Sequence, residues 1–282
     1  MTPLFVLLVA LAVPNTGPAG YPLYGPDNIA VDQSGNLFVT DHDGAHKLRL
    51  LKIAPDGKIL AEWHLFSPAE PDASGPEDVV LDTAGYIYVT DRGAREVLKL
   101  SQAGEVVARF GGFLDLGHVV LDSHGNLIVC EGRANRITIL SPDGRVLDIR
   151  QRTGGTGLDQ SFFPESMAID RDDNLYVLDF GNRRVLKIAP SGTTLRAIAV
   201  PGRNLAGLAL DAHGNLYVPD QATHRILILA PGGELTGAIG SQEIFRSGPG
   251  GVSIDAAQNL YAPDGHSIVK LTLDGAFLAR FQ

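Results

Sequence analysis

One phrase returns six times along this chain of 282 residues: an apolar run ending in Asp, a turn, and a second apolar run ending in an acid. The copies run from GPDNIAVDQSGNLFVTD, closing at Asp41, through phrases closing at Asp91, Glu131, Asp179 and Asp220, to GGVSIDAAQNLYAPD, closing at Asp264. Within a copy the two runs, such as Ile29 to Asp32 and Leu37 to Thr40, are short, rich in β-formers and separated only by turn residues. That combination predicts a hairpin. A third run follows (Val97 to Leu100, Ile137 to Leu140, Val185 to Ile188), then a Gly turn such as Pro142 to Gly144, and a fourth run such as Glu105 to Phe110. Four antiparallel strands recurring every ~40 to 50 residues are the pattern of propeller blades. The expected fold is all-β, a six-bladed β-propeller of four-stranded antiparallel blades.

The first turn of each copy opens on Asp32, Asp82, Asp122, Asp170, Asp211 or Asp255, a side chain suited to accepting backbone N–H bonds. Gly35, Gly85, Gly125 and Gly214 stand where the turn needs a left-handed residue. Asp173 and Gln258 occupy that place in the fourth and sixth copies, so those two turns are expected to be strained or differently shaped.

No linker or charge run divides the sequence, and residues 20–282 are expected to form one domain. Packing of blades face to face accounts for runs that are almost continuously apolar rather than alternating. The lone cysteine, Cys130, excludes an internal disulfide and reads as a small buried side chain at a strand end. Residues 1–19 carry two readings. MTPLFVLLVALAV is too short to span a bilayer but suits the apolar region of a secretory signal, with Ala10-x-Ala12 as a cleavage site. It lacks a Lys or Arg ahead of the apolar stretch, and Leu4 to Val13 also reads as an extra strand closing the last blade. The first reading puts the protein outside the cytoplasm, periplasmic or secreted; the second puts it inside. No transmembrane helix is expected, and the chain is expected to be a monomer.

The pattern Pro-x-x-apolar-x-apolar-Asp-x-x-Gly-Asn-apolar-Tyr-Val-x-Asp, followed by Asn, Arg and an apolar strand, resembles the NHL repeat family. The fourth copy carries it best, with GGTG at Gly154 to Gly157, then Phe162, Phe163 and Pro164, then Asn182 and Arg184 after Asp179. The resemblance spans about residues 20 to 282 and implies the propeller fold. It does not choose among the binding modules, sensors and enzymes built on that scaffold.

Function is expected at one mouth of the ring, where the residues before strand one and the loop after strand two converge. The pairs before strand one are Asp27 and Asn28, Glu77 and Asp78, Gly117 and His118, Glu165 and Ser166, Ala206 and Gly207, and Gly250 and Gly251. Blades one to four are polar there and blades five and six nearly bare, an asymmetry that folding alone does not require. By contrast, the acid closing strand two recurs in all six copies, which argues for a structural carboxylate paired with a nearby Arg such as Arg136, Arg184 or Arg225. Arg92, Arg95, Arg133 and Arg183 are additional basic residues in the same loops. Tyr21, Tyr24, Phe66, Phe162 and Phe163 add aromatic groups that read as packing between blades.

The family's peptidyl-hydroxyglycine lyases hold zinc with His residues just after the repeat's leading Pro. The matching positions here are Asp27, Glu77, Gly117, Glu165, Ala206 and Gly250, with no His among them. No cofactor is expected, although Glu77, Asp78, His118 and Glu165 are the residues that would hold a divalent cation, Ca²⁺ or Zn²⁺. A net charge of −9 argues against nucleic acid, which draws on a basic surface. The leading expectation is a non-catalytic module that recognises a protein, peptide or small ligand through Asp27, Asn28, Glu77, Asp78, Arg92, His118, Arg133, Glu165 and Arg183. The alternative is a metal-dependent hydrolase or lyase, lactonase-like or amidoglycolate-lyase-like, using the same mouth.

Overall fold

The computed structural model describes residues 23–42, 48–64, 76–161 and 163–282. Among them six four-stranded sheets follow one another, each an antiparallel meander whose strands pair in chain order. The blades run from Pro26–Val31 to Ile59–Trp63, Val79–Leu81 to Val106–Phe110, Val119–Leu121 to Val146–Gln151, Pro164–Ile169 to Thr194–Ala199, Ala209–Leu210 to Leu235–Ile239, and Ser253–Ile254 to Phe277–Phe281. A short parallel pair, Thr153–Gly154 with Gln160–Ser161, lies in the loop entering blade four.

Each first strand touches those of the two neighbouring blades, and that of blade six touches that of blade one, so the ring closes around a central channel. Every blade draws its four strands from one contiguous stretch, blade six included. At the seam the Ser253 hydroxyl donates to the Ile29 carbonyl, and a ring nitrogen of His266 meets the Tyr24 carbonyl. The signal or closing strand read for residues 1–19 lies outside the described residues.

The core is six separate clusters, one at each blade interface. Phe38, Leu50, Ile87, Val89 and Leu98 fill the space between blades one and two. Leu23, Ile29, Val39, Tyr261, Ile268 and Phe281 fill the seam between blades six and one. Second strands such as Ile87–Asp91 and Leu127–Glu131 are buried along their whole length, because neighbouring blades cover both faces. Each large aliphatic side chain so covered contributes about 1.5–3 kcal/mol.

The first-turn Asp works as its position suggests: Asp32 Oδ1 accepts the N–H groups of Ser34 (2.9 Å) and Asn36 (2.8 Å). Asp173 and Gln258 do adopt positive φ, 58° and 62°. Their turns nevertheless keep the common shape, since Asp173 N–H donates to the Asp170 carbonyl at 3.0 Å and Gln258 N–H to that of Asp255 at 2.9 Å. Both side chains offset the strain by bonding the preceding blade. Asp173 accepts the N–H (2.8 Å) and hydroxyl (2.6 Å) of Ser123, and Gln258 Oε1 accepts the Ala212 N–H at 3.1 Å.

The acids closing strand two are buried in every blade. They tie the loop entering a blade to the loop leaving it: Asp41 accepts the N–H of Gly25 (2.8 Å) and pairs with Arg49 (2.6 Å). Glu131 accepts the Leu114 N–H (2.7 Å) and pairs with Arg136 (2.6 Å), Asp179 pairs with Arg184 (2.7 Å), and Asp264 pairs with Arg280 (2.8 Å). Blade five departs from the expectation. Asp220 accepts the Asn204 N–H and the Thr223 hydroxyl, both at 3.0 Å, while Arg225 faces solvent.

Candidate functional site at the mouth of the ring

The channel, about 390 Å³, is walled by aliphatic residues of the first strands, including Ile29, Val79, Val119, Met167, Leu208 and Val252. Its upper end is different, ringed by Asp27, Asn28, Asp78, His118 and Ser166 on one side and by Gly207, Gly250 and Gly251 on the other. Strand two positions the first two blades' groups: Thr40 Oγ1 accepts the Asn28 N–H, and Thr90 Oγ1 the Asp78 N–H, each at 2.9 Å. Asn28 and Asp78 then accept the N–H of the following residue, Ile29 at 3.0 Å and Val79 at 2.8 Å.

Asp78 also reaches the next blade. Its Oδ2 accepts the Val119 N–H at 2.7 Å and faces His118 Nδ1 at 3.4 Å. Asn28 Nδ2 lies 3.3 Å from the same ring nitrogen, so blades one, two and three meet at one imidazole. Burial disfavours a charge on His118, but the carboxylates of Asp78, Glu77 and Asp27 outweigh it and hold the ring's pKa up at about 9. It is therefore an imidazolium at neutral pH.

Glu77 is perturbed for the opposite reason. Burial pushes its carboxyl up to about 7, with Arg92 and His118 pulling it down and Asp27 and Asp78 adding to the rise. Arg92 stands 3.2 Å from Glu77 Oε2, but its N–H is not aligned on that oxygen, which has no hydrogen-bond partner among the described residues. Glu165 on blade four is likewise raised by burial, against His118 and Arg92, and its Oε2 is also buried without a hydrogen bond among the described residues. Asp27, 42% exposed, sits 3.6 Å from His42 Nε2 and raises that imidazole in turn.

Asp27, Asn28, Glu77, Asp78, His118, Glu165 and Arg92 thus share one electrostatic field centred on His118. Arg133 and Arg183 stand apart from it, exposed on the outer rim. One partner escaped the sequence reading: Asp115 accepts the Arg133 N–H at 2.8 Å and lies 3.9 Å from Arg92. A usable signal lay in the penultimate residue of strand two, which is Thr40 and Thr90 in blades one and two but Cys130, Leu178, Pro219 and Pro263 afterwards. The Arg49 guanidinium lies 3.9 Å over the Tyr24 ring; Tyr21, Phe66 and Phe162 lie outside the described residues. Cys130 Sγ points at the Pro164 carbonyl, 3.3 Å away, and burial pushes its thiol far up, which leaves it inert.

The sequence left a divalent cation open at Glu77, Asp78, His118 and Glu165. Among the described residues no three His, Cys, Asp or Glu side chains stand as a ligand set. Both oxygens of Asp78 accept backbone N–H groups, from Val79 and Val119, and His118 turns Nδ1 to Asp78. Glu77, Asp78, His118 and Glu165 therefore do not converge as a ligand set in this structure.

Fold and mouth together define a class: a six-bladed β-propeller with an acidic, histidine-centred opening. Residues 68–93 match the family profile described as strictosidine synthase-like, N-terminal. No curated protein matches the sequence. Among solved structures, a virginiamycin B lyase from Staphylococcus aureus is 20% identical with a TM-score of 0.65, over 93% of this chain and 86% of that one. A gluconolactonase from Xanthomonas campestris is 16% identical with a TM-score of 0.67, over 88% of this chain and 85% of that one. A protein of unknown function from Bacteroides caccae is 16% identical with a TM-score of 0.67, over 84% and 91% respectively. Identities this low establish a shared fold, which is the coarser part of what the NHL resemblance implied.

Proposed function

We propose that the mouth is the active site of a hydrolase or lyase that opens a C–O bond by proton transfer through Glu77 and His118. The observation that supports it is that two groups of one mouth are raised by different causes, the Glu77 carboxyl to about 7 by burial and the His118 imidazole to about 9 by the carboxylates around it. Pairs of titratable groups driven apart in role by their surroundings are the mark of acid–base assignment. Above about pH 7 Glu77 is the base, accepting a proton from water or from a carbon beside the departing oxygen. His118 is the acid, its Nδ1 fixed by Asp78 so that Nε2 is the nitrogen left to protonate the leaving alkoxide. Arg92 positions Glu77, and the side-chain-free stretch at Gly207, Gly250 and Gly251 leaves space for the substrate body.

A cyclic ester suits this arrangement: in hydrolysis Glu77 takes a proton from the attacking water, the acyl C–O bond breaks and His118 protonates the departing alkoxide, whereas in elimination Glu77 takes the proton from the carbon next to the C–O carbon, the alkyl C–O bond breaks and His118 meets the departing carboxylate. The fold neighbours described as a lactonase and a lyase favour it over the recognition-only reading. The test is a titration of His118 by imidazole NMR and of Glu77 by carboxyl ¹³C NMR, paired with turnover of lactones and cyclic depsipeptides by wild type, Glu77→Gln and His118→Gln. Midpoints near 9 and 7, with at least about a hundredfold loss of turnover in each variant, are expected. A His118 midpoint below 7, or a Glu77 midpoint at its ordinary 4.5, removes the acid–base pair and the proposal with it.

A further inference from the structure

Beside the mouth, the tight turns leaving strand two of blades two and three lie next to each other. The first closes with Arg95 N–H on the Arg92 carbonyl (3.3 Å) and the second with Asn135 N–H on that of Gly132 (3.1 Å). Between them and the loop entering blade three is a pocket of about 270 Å³ lined by Arg92, Arg95, Arg133, Asp115, Leu114 and Leu116. In a chain of net charge −9, three guanidinium groups here face one carboxylate. That carboxylate is already committed, because Asp115 Oδ2 accepts the Arg133 N–H and Oδ1 lies 3.9 Å from Arg92. The side chains of Arg95 and Arg133 are exposed and make no ion pair or hydrogen bond among the described residues. Leu114, 59% exposed, stands at the edge of the pocket, with Leu116 buried at its base.

We infer that this pocket binds a carboxylate carried on an apolar body, and that the carboxylate belongs to the substrate of the adjoining mouth. The second half of the inference rests on the catalytic reading of that mouth. Guanidinium groups offer paired N–H donors in the plane that a carboxylate needs, and Leu114 and Leu116 supply the apolar contact that a bare inorganic anion would not use. Arg92 connects the two regions: it lines the pocket and also stands 3.2 Å from Glu77 Oε2. A substrate anchored here reaches the acid–base centre one guanidinium away. The bonds broken and formed remain those of the ester opening, and the pocket contributes binding and orientation only.

The probes are benzoate, its uncharged isostere benzamide, and inorganic phosphate, each titrated by calorimetry into the full chain at low ionic strength. Benzoate should bind saturably and benzamide at least about tenfold more weakly, the loss of one charge-assisted pair. The double variant Arg95→Ala, Arg133→Ala should weaken benzoate by at least about tenfold, while Arg183→Ala, on the rim of blade four, should leave it unchanged. Equal binding of benzamide, an equal loss in Arg183→Ala, phosphate binding tighter than benzoate, or no saturation overturns the inference. His118→Gln separates it from the catalytic reading. Retained benzoate affinity in that variant supports the pocket even if the Glu77 and His118 titrations fail, whereas lost affinity assigns the anion to the mouth and overturns the pocket.

Discussion

Asp78→Asn tests the electrostatic core of the mouth. Burial alone would take His118 below its ordinary 6.5, and Asp78 is the first of the groups that lift it to about 9. The interval from 6.5 to about 9, at about 1.4 kcal/mol per pH unit, corresponds to about 3 kcal/mol of coupling between folding and protonation. Because the folded value lies above the unfolded one, this stabilisation is fully present below pH 6.5 and is lost as the pH rises through about 9. Asparagine keeps the shape but not the charge, and offers one acceptor where Asp78 now serves the N–H groups of Val79 and Val119. One of those N–H groups loses its partner, costing about 1–3 kcal/mol at every pH. The variant should therefore be less stable than wild type everywhere, with a gap wider at pH 6 than at pH 10 by up to about 3 kcal/mol, since Glu77 and Asp27 share in raising His118. Urea unfolding at the two pH values measures the gap. A gap of the same size at both would mean that Asp78 does not hold the His118 proton, and the reasoning above would fail.

Glu77→Gln should flatten a different part of the curve. A carboxyl raised from 4.5 to about 7 favours the folded state below pH 4.5 and loses that contribution as the pH climbs through 7, so wild-type stability should fall across this window and that of the variant should not. Thermal unfolding from pH 4 to pH 8 reads the difference. Arg184→Ala removes the cationic partner of the fully buried Asp179, which keeps the Asn182 amide, and withdraws the donors to the carbonyls of Thr156, Gly157 and Gln160. A loss of about 3–5 kcal/mol is expected, with faster proteolysis of the loop entering blade four; a loss under about 1 kcal/mol would deny Asp179 its structural role. Gly104→Ala forces a Cβ to within 1.9 Å of the Trp63 indole at a φ of +84°. A red-shifted tryptophan emission together with a lower melting temperature is expected, and unchanged emission would contradict the packing of blade two's turn on blade one.

The blades were legible because each hairpin announces itself locally, as in Ile29 to Thr40, where the apolar runs, the opening Asp and the turn glycine all agree. The strand-two acids were legible for a related reason: a group present in all six copies answers a need that every copy has. What the repeat could not show is how one blade meets the next. Asp78 and His118 are forty residues apart in sequence, and nothing local reveals that a carboxylate at the head of one first strand accepts the Val119 N–H of the following blade. For the same reason the sequence could list Glu77, Asp78, His118 and Glu165 as possible ligands without showing that both oxygens of Asp78 accept backbone N–H groups.

Neighbouring positions also divide their work in a way the sequence conceals. Asp78 turns inward to hold two blades together, while Glu77, one residue earlier on an extended chain, turns to the rim and meets Arg92. Glu77 is thereby desolvated without being satisfied, and a fold that needed it only for stability would do better with Gln or an apolar residue at that place. The same contrast separates the buried acids that end strand two, each given backbone donors or a cationic partner, from the pair Glu77 and Glu165, each with one buried oxygen lacking a hydrogen bond among the described residues. In the repeated positions carboxylates are spent on the ring, as is the unrepeated Asp78; on the proposed reading it is Glu77 and Glu165 that are left to meet a substrate.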